Sequence, residues 1–318
     1  MDEAEAWLPA LMAAVEERLG ELVEGYGDAL GGDARATLKA GGKRLRPMLV
    51  LLCAGPEARA PALRGAAAIE LVHMATLVHD DVLDQAPLRR GLPTVVATSG
   101  RERATAVGDL LLSRAFAELG EGGGEGGERQ VELLAGASVG LALGELAQRH
   151  DAWDTTTSAE RYLERCRLKT ARLFECACLI GRVSGSGDPA AEALRSFGQE
   201  IGLAFQLLDD VLDVAGPPER TGKARGTDLL DGTVTLPLIL ARDRDPALAE
   251  LDLRSLDAAS AEKVCDRIAA TGALDEVRSD ARRRVDEGKR TVASCDALSE
   301  TQRRLLSLVA DGVVERYA

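Results

Sequence analysis

The pentapeptide DDVLD occurs twice in this chain, at residues 80–84 and again at residues 209–213. On a helix, residues four apart lie on one face about 6 Å apart along the axis, while the next residue points about 100° away. Asp80 and Asp84 therefore aim together and Asp81 aside, and Asp209, Asp210 and Asp213 repeat the spacing. Like charges so placed repel, and no basic residue lies in sequence reach of the first cluster before Arg89 and Arg90. Both clusters sit among apolar residues, LVH before the first and AFQLL before the second. Unpaired carboxylates are costly to bury there, and a bound cation relieves the cost. Carboxylates without cysteine and with little histidine select a hard ion such as magnesium, which shares its coordination with substrate phosphates. The competing reading of each cluster is a solvated acidic face.

Positive groups occur where a diphosphate would need them: GGKRLRP at 41–47, RRG at 89–91, LKT at 168–170 and TGKARGTD at 221–228. Lys43 and Arg46 lie three apart and suit a second anion pocket, with an exposed basic loop as the alternative. Two acidic faces opposed across a helical bundle would make a basket for magnesium and a diphosphate.

The elements that must carry these groups read as helices. Aromatic residues are 3% of 318, whereas the helix formers Ala, Leu, Glu and Arg dominate. Breaks between periodic segments are short, which predicts one all-α bundle with a central cavity over residues 1–318, residues 120–128 forming an exposed Gly/Glu loop. A net charge of −13 excludes a broad nucleic-acid footprint. The six cysteines, Cys53, Cys166, Cys176, Cys178, Cys265 and Cys295, show no CxxC or zinc spacing and read as free thiols of a reducing compartment. The acidic, amphipathic N-terminus is unlike a signal peptide. Apolar runs such as PMLVLLCAG fall short of the ~20 residues of a membrane span, so a cytoplasmic protein without a transmembrane segment is expected.

Taken in order, GGKRLRP, HDDVLDQAPLRRG, GD with LLL at 108–112, GELAQ at 144–148, KTARLF at 169–174, FQLLDDVLD and GKARGTDLLDGTVTLP resemble the trans-isoprenyl diphosphate synthases, from about Gly41 to Leu240. The resemblance implies that Asp80 and Asp84 hold two magnesium ions and Asp209 a third, with Asp81, Asp210 and Asp213 in support. It implies that Arg89, Lys169 and Lys223 grip the diphosphate of an allylic prenyl substrate, with Thr170 and Gln206 nearby. Lys43, Arg46, His73 and Arg90 would hold isopentenyl diphosphate. His73, seven residues before Asp80, shares its helix face, although a lone histidine on an apolar helix is more often a satisfied core residue. Thr233 stands where many members of the family carry a lysine. A homodimer is expected by resemblance only.

The implied reaction is electrostatic: the diphosphate leaves, an allylic cation forms, the double bond of isopentenyl diphosphate attacks it, and the departing diphosphate takes the proton that the new cation loses, without a covalent nucleophile or a side-chain base. Chain length should depend on what blocks the growing tail below the first cluster. Ala75 and Thr76, five and four residues before Asp80, are small and predict an open pocket with products from hexaprenyl to decaprenyl. A block by Leu112 or Phe116 would instead give a short-chain, geranylgeranyl or farnesyl, synthase. The rivals are a terpene cyclase, disfavoured by the scarcity of aromatic rings and the presence of GGKRLRP; a non-catalytic subunit of a two-component synthase, disfavoured by two whole clusters; and an acidic helical scaffold, which predicts no diphosphate-dependent magnesium binding.

Overall fold

The computed structural model describes residues 3–24, 27–39, 41–56, 59–89, 91–184, 190–216 and 225–315. Four helices, α1 (Glu3–Glu24), α2 (Gly27–Lys39), α3 (Leu45–Ala54) and α4 (Arg59–Asp84), precede a small ribbon. In it β1 (Leu88–Arg89) pairs antiparallel with β2 (Leu92–Pro93), Leu88 opposite Pro93. There follow α5 (Val95–Ser99), α6 (Arg101–Gly120), α7 (Gly124–His150) and α8 (Ala159–Cys166). A π-helical turn, Arg167–Ala171, leads into α9 (Arg172–Ser184). Then come α10 (Ala191–Ala215), α11 (Thr227–Leu230), α12 (Leu236–Arg242), α13 (Pro246–Ala249), a 3₁₀ turn (Leu253–Ser255), α14 (Ala258–Ala270), α15 (Ala273–Ala293) and α16 (Glu300–Glu315). The all-α expectation holds, the two-residue strands being the departure among the described residues.

Internal packing divides the chain into two compact units interleaved in sequence, residues 1–138, 176–195 and 297–305 in the first and 139–175, 196–296 and 306–318 in the second. The core of the first unit is α4, where Ala66, Ala67, Ala68, Ile69, Leu71, Val72, Met74, Ala75 and Val78 are buried. Each large apolar side chain so buried contributes about 2 kcal/mol. Neighbours approach it and α3 over glycines: Gly65 lies against Ile180, Gly181 against the Val50 carbonyl and Gly108 against the His79 ring. In the second unit α10 buries Ile201, Leu203, Ala204, Leu207, Leu208, Val211 and Val214.

Two expectations change. The loop over 120–128 contracts to three residues, because α6 ends at Gly120 and α7 begins at Gly124. Glycine is a poor helix former, so composition argued for a loop. A tertiary contact overrides it: the Gln130 side-chain amide donates to the Ile180 carbonyl at 3.3 Å. Glu125 in the first turn also meets the positive end of the helix dipole. Second, α7 holds an 18-residue window of mean hydropathy 1.2, enough by length and composition alone to cross a membrane. Looking only for unbroken apolar runs passes over it. Its Leu134, Ala137 and Leu141 are buried, whereas Val139, Leu143 and Leu146 are exposed.

Candidate active site

The last three turns of α4 carry His73, Ala75, Thr76, Asp80, Asp81 and Asp84. No basic residue lies in its final turn, so the carboxylates stand where the helix carbonyls already concentrate negative charge. The same holds for Asp209, Asp210 and Asp213 at the end of α10. Two acidic helix C-termini of this kind are unfavourable alone and favourable around a hard cation, so the donor set fits magnesium. Among the described residues no three metal-ligating side chains are gathered closely enough to hold an ion by themselves.

After Asp84 the chain reverses through Gln85, at φ 51°. The Ala86 amide donates to the Asp81 carbonyl, and the Thr94 hydroxyl donates to the Ala86 carbonyl at 2.5 Å. The ribbon thereby returns Arg89 to Asp81, with Nε and Nη2 each 2.8 Å from Oδ1. Asp81, 5% exposed, is neutralised within the protein, which suits a supporting rather than a ligating place.

A cavity of about 380 Å³ in the first unit is lined by His73, Lys39, Arg44 and Arg89 together with the acidic Asp33, Glu70 and Asp81. Met74, Leu77 and Pro93 supply apolar wall. Neither Lys43 nor Arg46 lines it; their neighbour Arg44 does. The reason is the left-handed backbone at Arg44, φ 47° and ψ 38°, ahead of α3. Arg44 is tied to Glu16 at 2.5 Å and to the buried Glu70 at 2.7 Å. Burial pulls the Arg46 guanidinium down to about 10 against the opposing field of Glu70. Lys43 is exposed.

The residues expected to set product length lie on α4 and α6 of the same unit. Ala75 is buried, Thr76 donates its hydroxyl to the His73 carbonyl at 2.8 Å, and Leu112 and Phe116 are half-buried. The two helices meet closely at Gly108, where an added Cβ would lie 2.3 Å from His79 Nε2. His79 is itself 3.2 Å from Asp109.

In the second unit one row of α10, in steps of four residues, faces the segment α8–π-turn–α9. Gly198 and Gly202 allow contact: a Cβ there would lie 2.7 Å from the Glu175 Cα and 2.6 Å from the Ala171 Cα. Further along the row, Gln206 Oε1 accepts from the Thr170 hydroxyl at 2.6 Å and Asp210 Oδ2 accepts from the Tyr162 hydroxyl at 2.5 Å. Gln206 Nε2 donates to Asp210 Oδ1 at 2.7 Å. Asp210 is 2% exposed. Burial pushes its carboxyl well above the usual range, helped by Asp228 and opposed by Tyr162 and Gln206. Burial and the Asp210 charge also push the Tyr162 phenol up, so it remains a donor. Asp209 is exposed, and Asp213 Oδ2 accepts from the Asp228 amide at 3.2 Å.

The π-turn carries Lys169 and Thr170, and Gly144 of α7 permits its approach. Such turns recur at functional sites because they re-aim side chains within a helix. The Lys169 ammonium hydrogen-bonds Glu145. Burial pushes the Glu145 carboxyl up, but Lys169 and Arg149 more than reverse this and hold it below its ordinary value. Thr233 lies in a clamped loop: its amide donates to the Asp228 carbonyl at 2.8 Å, and Gly232 fits against the ring of Trp153. Trp153 has a φ of 69°, a costly conformation for a bulky residue, and donates its amide to the Gly232 carbonyl at 2.8 Å. Arg90 and Lys223 lie outside the described residues.

Sequence reading passed over Tyr162, Arg44, Glu145 and Trp153. For two of them a signal existed: Arg44 lies between Lys43 and Arg46, and Glu145 lies within GELAQ. Tyr162 and Trp153 stand in polar stretches with nothing to mark them.

Residues 29–270 match the Polyprenyl synthetase family. Over 233 residues the chain is 41% identical to the heptaprenyl diphosphate synthase component 2 of Geobacillus stearothermophilus, covering 72% of each chain. Over 303 residues it is 34% identical to the geranylfarnesyl diphosphate synthase of Aeropyrum pernix, covering 91% of this chain and 95% of the other. The crystal structure of a polyprenyl synthase from Caulobacter crescentus CB15, complexed with calcium and isoprenyl diphosphate, is 36% identical with a TM-score of 0.90. That match covers 98% of this chain and 96% of the other.

Proposed function

The chain belongs to the polyprenyl synthetase family, and from that premise we propose that residues 1–318 form a single magnesium-dependent catalytic domain, a chain-elongating prenyltransferase. It joins isopentenyl diphosphate head to tail with an allylic prenyl diphosphate to give an all-trans product, in the hexaprenyl to decaprenyl range. The observation that carries this reading is that both acidic clusters are whole and each ends a helix, with Asp81 and Asp210 held internally by Arg89 and Tyr162.

Three magnesium ions, held by Asp80, Asp84 and Asp209, would supply charge neutralisation for the departing diphosphate. Lys169, Arg89 and Lys223 bind the allylic diphosphate, with Thr170 and Gln206 nearby. To do so Lys169 exchanges Glu145 for the phosphate oxygens, while Arg89 remains on Asp81. His73, Lys43, Arg46 and Arg90 bind isopentenyl diphosphate, joined by Arg44 on the wall of the first-unit cavity. Apolar wall such as Met74 and Leu77 excludes the water that would quench an allylic cation. The small, buried Ala75 supports a long product.

The exposed stripe Val139, Leu143 and Leu146 of α7, at spacings of four and three residues, supports a homodimer with this helix at the interface. The test of function is incubation of the purified chain with magnesium, farnesyl diphosphate and labelled isopentenyl diphosphate beside Asp80→Ala. Long products absent from the control are expected. Absence of product with any allylic starter would overturn the reading for the chain alone. A second reading then applies, a need for another subunit, favoured by likeness to a protein named as one component of a synthase.

A further inference from the structure

The second acidic cluster rests on a buried chain of hydrogen bonds that its own motif does not announce. Asp210 is fixed from both sides, by the Tyr162 hydroxyl at 2.5 Å and the Gln206 amide at 2.7 Å. Tyr162 is 1% exposed and is itself held, since the Arg165 guanidinium lies 5.4 Å from the centre of its ring. Arg165 in turn donates to the Val234 carbonyl at 2.6 Å. One connected set thus runs from the Val234 loop through α8 to α10, and through Gln206 to Thr170 of the π-turn. Adjacent helix positions differ by about 100° in direction, so the hold on Asp210 also decides which carboxylate of the pair Asp209 and Asp210 turns outward. A phenylalanine would keep the ring of Tyr162 and lose only its hydroxyl. The hydroxyl matters because the carboxylate it meets is buried. We propose that Tyr162 is a positioning residue for the reaction: acting through Asp210, it sets the direction in which α10 presents Asp209 and Asp213 to a magnesium-bound diphosphate. The proposal rests on the functional reading above.

The test is calorimetric binding of inorganic pyrophosphate with magnesium to four proteins, wild type, Tyr162→Phe, Asp210→Asn and the double variant, well below their melting temperatures. Leaving a buried carboxyl without one of its hydrogen-bond partners corresponds to about a tenfold weakening. Tyr162→Phe is expected to weaken binding by that factor and to need more magnesium for half-saturation. In the Asp210→Asn background the same change is expected to alter affinity by less than about twofold, because a residue acting through Asp210 adds nothing once Asp210 is changed. Should Tyr162→Phe alone not fold, Asp210→Asn decides by comparison with wild type: a residue through which Tyr162 acts must itself weaken binding by a similar factor when changed, and Asp210→Asn that folds and binds like wild type overturns the proposal. Tyr162→Phe that melts earlier but binds like wild type overturns the proposal, as does equal weakening in both backgrounds. Wild type that fails to bind magnesium pyrophosphate overturns the functional reading itself, and the proposal with it.

Discussion

Replacing Gly144 by alanine would place a Cβ 2.5 Å from the Lys169 amide nitrogen, 2.8 Å from its Cα and 2.9 Å from its Cβ. Ordinary contact begins near 3.4 Å, so α7 and the π-turn must separate by about 0.9 Å, and the obstacle is backbone, which cannot swing aside. Overpacking of this kind costs about 1–3 kcal/mol, from which alanine's better helix propensity recovers about 1 kcal/mol. The net loss of about 1 kcal/mol should lower Tm by about 2–4 °C. Activity should suffer far more, because Lys169 moves with its backbone. A misplacement of about 1 Å at a group that holds substrate costs on the order of 100-fold. Steady-state assays varying each substrate separately should show kcat/KM for the allylic diphosphate reduced by that factor, with KM for isopentenyl diphosphate nearly unchanged. Gly20→Ala is the control: nothing lies within 4 Å of its added Cβ, and it should raise Tm. Gly144→Ala with kcat/KM within twofold of wild type, or with both substrates weakened alike, would refute the reasoning.

Ala75→Phe should shorten the product, as resolved by chromatography of dephosphorylated prenyl alcohols, and an unchanged length would mean the tail does not pass this residue. Leu143→Glu combined with Leu146→Glu should convert a dimer to monomers by sedimentation, because both side chains are exposed on α7 in one copy. Burial, with the charges of Asp210 and Asp213 in turn, pushes the Cys166 thiol up to about 12 and the Cys265 thiol up to about 11. Only half-buried Cys295 should therefore react quickly with a thiol reagent at neutral pH, and all six cysteines should react on unfolding. Glu145 titrates below its ordinary value of 4.5, so its stabilising contribution is complete above that pH and is lost as pH falls through the lower folded value. Urea midpoints of Glu145→Gln should accordingly depend less on pH than those of wild type as the pH falls below 4.5.

The helical class and the positions of both acidic clusters were legible because each depends on a local rule: residue propensity for the first, four-residue spacing for the second. What escaped depends on backbone direction or on partners remote in sequence. Lys43, Arg44 and Arg46 are equally basic in the sequence, and only the left-handed turn at Arg44 brings that side chain to Glu70 and the cavity. Tyr162 acquires meaning only beside Asp210, which is 48 residues away. The glycines at 120–128 suit a loop by composition, yet α7 is anchored through Gln130 to Ile180, 50 residues away. Gly144 and Gly108 appeared within recognisable motifs, but their use, as bare surfaces for Lys169 and His79, needs a second helix to be seen.

The π-turn at Arg167–Ala171 also has a consequence for helical phase. A turn of this kind takes in one residue more than an α-turn, so α9 continues α8 with its azimuth advanced by about 100°. The row Gly198, Gly202, Gln206 and Asp210 touches both sides of that step, Glu175 and Ala171 at one end and Tyr162 at the other. Deleting one residue from the turn would restore a regular helix and bring one end back into register only by turning the other away. The extra residue is therefore as fixed in number as the aspartates are in kind, and descendants of this chain can vary its composition far more readily than its length.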